Sequence, residues 1–257
     1  MGCVLVTGAS GGIGSELCEV FASHGHDLVL VARKKEQLES LAQRLEEAHG
    51  VQALPLGADL TQEGAIDALH QATVDAEIVV DTLVNNAGFG DQGAFLDSDW
   101  GRQEAMVKLN VLALMRLSYL YGNDMRERGS GRILNVASVA GLCAGPYMST
   151  YFATKAFVLS HAQALHEELK GTGVTVTALC PGITGTAFWD VAGMQGNKLF
   201  SFMGMQSPRS VAELGYRALM AGRPVALHSY MTHLTNCASR VLPRRTLTAV
   251  MGKILAR

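Results

Sequence analysis

An α/β fold, a seven-stranded parallel sheet with helices on both faces, follows from three observations. Short β-branched runs alternate with helix-length periodic stretches along the whole chain. The first run leads straight into a glycine-rich turn. No internal repeat, low-complexity segment or flexible linker interrupts the rhythm.

CVLVT (Cys3–Thr7) is the first strand, and a helix over Ser15–Ser23 follows it. LVLVA (Leu28–Ala32) precedes a periodic stretch over Lys35–Ala48, QALPL (Gln52–Leu56) one over Gln62–Ala76, and TLVNN (Thr82–Asn86) one over Trp100–Met125. The second half continues with RILNVAS (Arg132–Ser138), a helix over Tyr151–Leu169, VTVTALC (Val174–Cys180), a helix over Val211–Met220, and PVALHS (Pro224–Ser229). Apolar runs of this kind are what strands buried on both faces require. Two regions depart from the pattern. Residues 184–207 are rich in Met, Phe and Gly and too aperiodic for a helix, so they read as a lid. Residues 230–257 hold no acid but carry Arg240, Arg244, Arg245, Lys253 and Arg257. They read as a basic tail on a single domain spanning 1–229, not as a second domain.

The composition narrows the function. With 257 residues and 48% hydrophobic content the chain can bury one large core. A net charge of −2 argues against nucleic-acid binding, which needs a cationic surface to displace counterions. A small molecule is the expected partner. The five cysteines (Cys3, Cys18, Cys143, Cys180, Cys237) are scattered and never spaced C-x-x-C, which points to a reducing cytoplasm and to no structural metal site. The apolar run at Cys3 leaves no room for a cleaved leader. Ile133 to Thr154 is an uncharged stretch long enough to span a bilayer, but Asn135, Ser138, Gly141, Gly145, Pro146, Ser149 and Thr150 interrupt it. It reads as a buried strand followed by an active-site loop.

TGASGGIG (Thr7–Gly14) sits between a strand and a helix, the context in which a glycine run carries meaning. Gly8 permits the tight turn, Gly12 lets the backbone approach a pyrophosphate, Gly14 allows close helix packing, and the helix N-terminus attracts phosphate. After the second strand, where an NAD-type site places an acid on the ribose 2′-OH, stand Arg33, Lys34 and Lys35. An arginine there accepts a 2′-phosphate, which favours NADP(H) over NAD(H). A plain strand-to-helix turn and a solvated basic helix start are the bland readings of these two features. In YFATK, Tyr151 and Lys155 stand four apart and share a helix face. An ammonium about 5 Å away at an effective dielectric near 20 is worth roughly 3 kcal/mol, which would draw the Tyr151 phenol toward about 8.

TGASGGIG, NNAG (Asn85–Gly88), Asn110, Ser138, YFATK and PGITGT (Pro181–Thr186) occur in an order and spacing that resemble the short-chain dehydrogenase/reductase family. The resemblance covers residues 3 to 229 and implies a doubly wound Rossmann fold. It implies that Tyr151 is the general acid or base, that Ser138 polarises the carbonyl oxygen, that Lys155 holds the nicotinamide ribose and acidifies Tyr151, and that Asn110 anchors a proton-relaying water. For the cofactor it implies Gly8, Ser10, Gly12, Ile13 and Gly14 at the pyrophosphate, Arg33 at the 2′-phosphate, and Asp59 with Leu60 at the adenine. Asn86, Ala87 and Gly88 would form the floor, with Pro181, Gly182, Thr184 and Thr186 on the carboxamide side. His161 and His166 read as packing residues, since no third ligand is placed near them.

Cys143, Tyr147, Phe188, Trp189, Phe202 and Met203 suggest an apolar substrate pocket, with an oligomer interface or the core as the alternative. The principal expectation is a cytoplasmic NADP(H)-dependent enzyme interconverting a ketone and a secondary alcohol on an apolar or acyl-type substrate. Within the family the chain resembles bacterial 3-oxoacyl and carbonyl reductases. An NAD(H)-dependent alcohol dehydrogenase and a non-catalytic nucleotide sensor are the rivals. The resemblance also implies a homodimer or homotetramer through the Trp100–Met125 and Tyr151–Leu169 helices. The basic tail is open to packing on a neighbouring subunit or to contact with an anionic membrane surface. The break at Pro243 and the modest charge weigh against the membrane.

Overall fold

A computed structural model of the chain describes residues 2–193 and 205–256. Seven strands, β1 (Cys3–Thr7), β2 (Asp27–Ala32), β3 (Ala53–Gly57), β4 (Val80–Asn85), β5 (Gly131–Val136), β6 (Val174–Cys180) and β7 (Val225–Leu227), pair in parallel in the order β3-β2-β1-β4-β5-β6-β7. The order reverses between β1 and β4, and at such a switch point the loops leave the strand ends in opposite directions and open a crevice. The helices are α1 (Gly12–Ser23), α2 (Lys35–His49), α3 (Ala65–Asp75), α4 (Trp100–Val107), α5 (Leu114–Arg128), α6 (Ser149–Glu168), the single turn α7 (Phe188–Val191), α8 (Pro208–Met220), α9 (Tyr230–Val241) and α10 (Arg244–Leu255).

Alternation within the strands feeds two cores. Val4, Val6, Leu28, Leu30, Leu134 and Leu179 face α1, α2 and α8. Leu5, Val29, Leu83, Ile133 and Val176 face α3, α5 and α6. This is why the strands read as continuous apolar runs: both faces are covered. Helix α2 stops at Gly50 and α5 at Gly129, which take φ of +67° and +71° and close the last turn in a left-handed cap.

The stretch expected as one helix from Trp100 to Met125 is interrupted. Lys108–Ala113 form a π-turn between α4 and α5. The uncharged stretch from Ile133 divides into the end of β5, a 3-10 turn over Val139–Leu142, a loop, and the start of α6. Among the described residues no helix is long and apolar enough to cross a membrane. The tail forms α9 and α10, with Pro243 between them.

Candidate active site

Thr7, at the end of β1, is the hub of the glycine turn. Its buried hydroxyl donates to the Val84 carbonyl (3.2 Å) and accepts from the backbone N–H of Asn86 (3.0 Å) and of Ala87 (3.1 Å). Asn86 Nδ2 donates back to the carbonyls of Thr7 (2.9 Å) and Gly8 (3.2 Å). The ends of β1 and β4 are thereby locked together where the chain must diverge. Gly8 and Gly12 take φ of +66° and +59°. A side chain at Gly14 would run into the Gly8 carbonyl, and one at Gly12 would press on the Thr186 methyl at 3.1 Å. So Gly12 admits the Thr186 loop, a task not foreseen for it. Gly11 offers α1 no side-chain cap, which leaves the first N–H groups of the helix available to an anion.

Gly8, Ser10, Gly12, Ile13, Arg33, Asp59, Leu60, Asn86, Ala87, Gly88, Ser138, Tyr151, Lys155, Pro181, Gly182, Thr184 and Thr186 all border one cleft of about 1210 Å³. Gly14 stands behind it, in the packing of the turn. Arg33 and Lys34 are exposed at the rim. Asp59 accepts from Thr61 Oγ1 (2.7 Å) and Thr61 N (3.0 Å). Those bonds hold its carboxyl below the usual range, with the nearby Arg33 charge acting in the same direction. Thr61 has no sequence signal, since a lone threonine carries no pattern, and the hub role of Thr7 is hidden behind the glycines that follow it.

At the floor of the cleft α6 presents Tyr151 and Lys155, both buried. Lys155 Nζ donates to the Val136 carbonyl (2.8 Å) and lies 6.0 Å from the Tyr151 ring centre. Ser138 follows β5; its Oγ accepts from Ala140 N (3.1 Å), capping the 3-10 turn, and its hydroxyl stands on the Tyr151 side of the cleft, where it acts to lower the phenol's pKa. Strand-end cap and site residue are thus one side chain. The expected fall of the Tyr151 pKa toward about 8 is not met. Burial pushes the phenol up to about 12, against the opposing hydrogen bond with Ser138. The same burial pulls Lys155 down to about 8, which weakens the positive charge meant to acidify its neighbour.

Asn110 is buried beside this floor, in the π-turn. Its Oδ1 accepts from Phe89 N (3.1 Å), and its Nδ2 donates to the Phe89 carbonyl (2.9 Å) and to Thr154 Oγ1 (3.1 Å). The side chain is committed to tying the π-turn to the loop after β4 and to α6.

The remaining wall is apolar. Cys143, Phe188 and Trp189 line the cleft as expected, with the Phe188 ring 5.2 Å from that of Tyr151. Trp189 Nε1 donates to the Thr184 carbonyl (2.7 Å) and anchors α7. Tyr147 does not join them: it takes φ +65° and turns outward to the surface beside α10. Phe202 and Met203, with the middle of the expected lid, lie outside the described residues.

The tail adds to the wall that Phe188 and Trp189 begin. Met231, Leu234, Thr235 and Ala238 of α9, and Leu247, Val250, Met251 and Ile254 of α10, border the cleft. Each set follows an i, i+3, i+4, i+7 pattern, one face of a helix. The sequence carries that spacing alongside the tail's charge. Gln92 holds the assembly: its N–H donates to the Ala192 carbonyl (3.0 Å) after α7, and its Nε2 to the Leu255 carbonyl (2.9 Å) at the end of α10.

Comparison with known proteins agrees with this geometry. A family model described as short chain dehydrogenase matches residues 2–195. The ketoacyl reductase HetN of Nostoc sp. is 33% identical over 217 residues, covering 84% of this chain and 74% of its own. A short-chain dehydrogenase from Sphingobium yanoikuyae, solved in complex with NADPH, superposes with a TM-score of 0.83 at 33% identity over 97% of this chain and 96% of its own. The bulky-bulky ketone specific alcohol dehydrogenase from Comamonas testosteroni gives 0.79 at 30% identity, over 97% and 94%.

Proposed function

The chain belongs to the short chain dehydrogenase family, oxidoreductases of CH–OH and C=O groups, and from that premise we propose that it interconverts a ketone and a secondary alcohol with NADP(H) on substrates with a bulky apolar body. The carrying observation is that Ser138, Tyr151 and Lys155 meet on the floor of one cleft, between the glycine turn and an apolar wall. Exposed Arg33 and Lys34 beside Asp59 support NADP(H), since a guanidinium fork matches a 2′-phosphate and no acid ends β2. The Sphingobium yanoikuyae relative, solved with NADPH, supports the same choice. The apolar faces of α9 and α10 support a bulky substrate.

The residues fit the cofactor: Gly8, Gly11 and Gly12 keep the turn open before an uncapped helix start, which leaves donors for a pyrophosphate. Gly8, Ser10, Gly12, Ile13 and Gly14 would hold that group and Arg33 the 2′-phosphate. Asp59 and Leu60 would take the adenine, Asn86, Ala87 and Gly88 the floor, Lys155 the ribose, and Pro181, Gly182, Thr184 and Thr186 the carboxamide side. When bound, NADP(H) supplies the hydride.

Tyr151 Oη gives its proton to the carbonyl oxygen while Ser138 Oγ polarises that oxygen. With its pKa up at about 12, Tyr151 stays protonated through neutral pH, so these residues favour the reductive direction and the oxidative one gains as pH rises. Lys155, down at about 8, loses its charge as pH rises through that value, and reduction weakens with it.

The test is oxidation of NADPH, followed at the nicotinamide absorbance, across a panel of bulky ketones. Tyr151→Phe is expected to lose about 10²- to 10⁴-fold in kcat while still binding NADPH. Unchanged turnover in that variant would sink the enzymatic reading in favour of a nucleotide sensor. Arg33→Asp separates the cofactors: equal affinity for NADPH and NADH in both proteins would remove the 2′-phosphate argument. Exposed Val107, Leu112, Met115 and Tyr119 along α4, the π-turn and α5 support the homo-oligomer that the family resemblance implies.

A further inference from the structure

Charge is segregated in this chain. The whole carries −2, yet residues 230–257 hold five cations and no acid. Where α9 turns into α10, the segment Arg240, Val241, Leu242, Pro243, Arg244, Arg245 is exposed throughout. Val241 is 82% exposed and Leu242 45%. No acid pairs with Arg240, Arg244, Arg245 or Lys253 among the described residues. The result is an apolar tip bracketed by guanidinium groups. Tyr230 and Leu234 carry exposed apolar surface along α9, and Val250 does so along α10. Leu234 and Val250 also border the cleft, so its mouth opens onto this same surface.

The chemistry selects the occupant. An isologous contact with a second copy would set these cations against themselves. An acidic soluble partner or a nucleic acid would satisfy the arginines and leave Val241 and Leu242 without apolar cover. A bilayer of anionic lipid offers both parts: phosphate at headgroup level for Arg240, Arg244 and Arg245, and hydrocarbon just beneath for the tip. Pro243, which breaks the tail into two helices, makes that tip. Its weight in the sequence reading against a membrane is therefore reversed.

We infer that the α9–α10 turn docks on an anionic lipid surface and sets the cleft mouth against it, so that a membrane-dissolved ketone enters between Leu234 and Val250. The entry route rests on the cleft being the active site, as proposed above; the docking does not.

Sedimentation of the full chain with phosphatidylcholine vesicles, with and without phosphatidylglycerol, tests it. Binding is expected only with phosphatidylglycerol, and salt should weaken it. Arg244→Ala with Arg245→Ala should lower vesicle affinity about thirtyfold. Val241→Ser with Leu242→Ser should remove the binding that survives salt. Both double variants should reduce a water-soluble ketone at the wild-type rate. Binding that ignores phosphatidylglycerol, or variants that bind like wild type, overturn the docking. So does a dimer that these substitutions dissociate, which would assign the surface to a second copy. Wild type that reduces soluble ketones but ignores vesicles overturns the docking alone; vesicle binding without turnover supports the docking and overturns the catalytic reading.

Discussion

The two halves of the cleft are built by different physics. On the nucleotide side, Thr7, Asn86, Asn110 and Lys155 join strand ends, loop and helix by short polar contacts, nearly all to backbone atoms. On the substrate side, α7, α9 and α10 present Phe188, Trp189, Met231, Leu247, Met251 and Ile254, and hydrogen bonds from Trp189 and Gln92 help hold them. Hydrogen bonds to backbone set positions to within fractions of an ångström, whereas apolar side chains tolerate repacking. The lesson is one of division: one half holds a ligand of constant shape, and the other can change its specificity without disturbing the chemistry.

Breaking the polar half should cost most. Lys155→Met is expected to lose at least about a thousandfold in kcat/KM, because the site loses the cation beside the reacting phenol. The same change should raise stability near neutral pH by about 2 kcal/mol: burying the charge costs about 3 kcal/mol, partly offset by the bond lost at the Val136 carbonyl. Lys155 titrates near 8 when folded, against 10.5 for the free side chain. The wild type should therefore gain stability as pH rises between those values, and the advantage of Lys155→Met should shrink across that window. Melting curves at neutral and alkaline pH check this; a variant that melts lower at neutral pH would show that the charge is not costly.

Asn86→Ala strips partners from the Thr7 and Gly8 carbonyls, for an expected loss of about 2–3 kcal/mol in urea unfolding and weaker NADPH binding. Gln92→Met should cost less, about 1–2 kcal/mol, and should act on the other half alone. Its signature is a raised KM for bulky ketones with NADPH affinity unchanged; a fall in NADPH affinity would erase the division between the halves. The smallest effect belongs to Met251→Ala, roughly a few-fold in kcat/KM, confined to bulky ketones and absent for small ones.

The polar half was legible in the sequence to the extent that its chemistry sits in local patterns. Gly8, Gly12 and Gly14 announce a turn, and Tyr151 with Lys155 announces a shared helix face. The π-turn at Lys108–Ala113 was not legible, because one extra residue in a turn leaves the apolar spacing on either side intact. The pKa of Tyr151 was not legible, because spacing sets its separation from Lys155 but the whole fold sets the burial of both. Gln92 acts through partners far along the chain, and nothing local marks it, while the motif that contains Thr7 does not reveal the bonds its hydroxyl makes to the end of β4. The tail is the instructive case: the pattern from Met231 to Ala238 and from Leu247 to Ile254 is that of two amphipathic helices, but an apolar stripe in the sequence does not say which surface it covers.

The bond from Gln92 to the Leu255 carbonyl spans 163 positions of the chain. Synthesis runs from the N-terminus, and contacts far apart in sequence close only after both ends exist. Every residue assigned to the cofactor has emerged by Thr186, while the hood over the substrate waits for α9 and α10. The residues proposed for the cofactor are thus complete in a length of chain that still lacks the hood over the other half of the cleft.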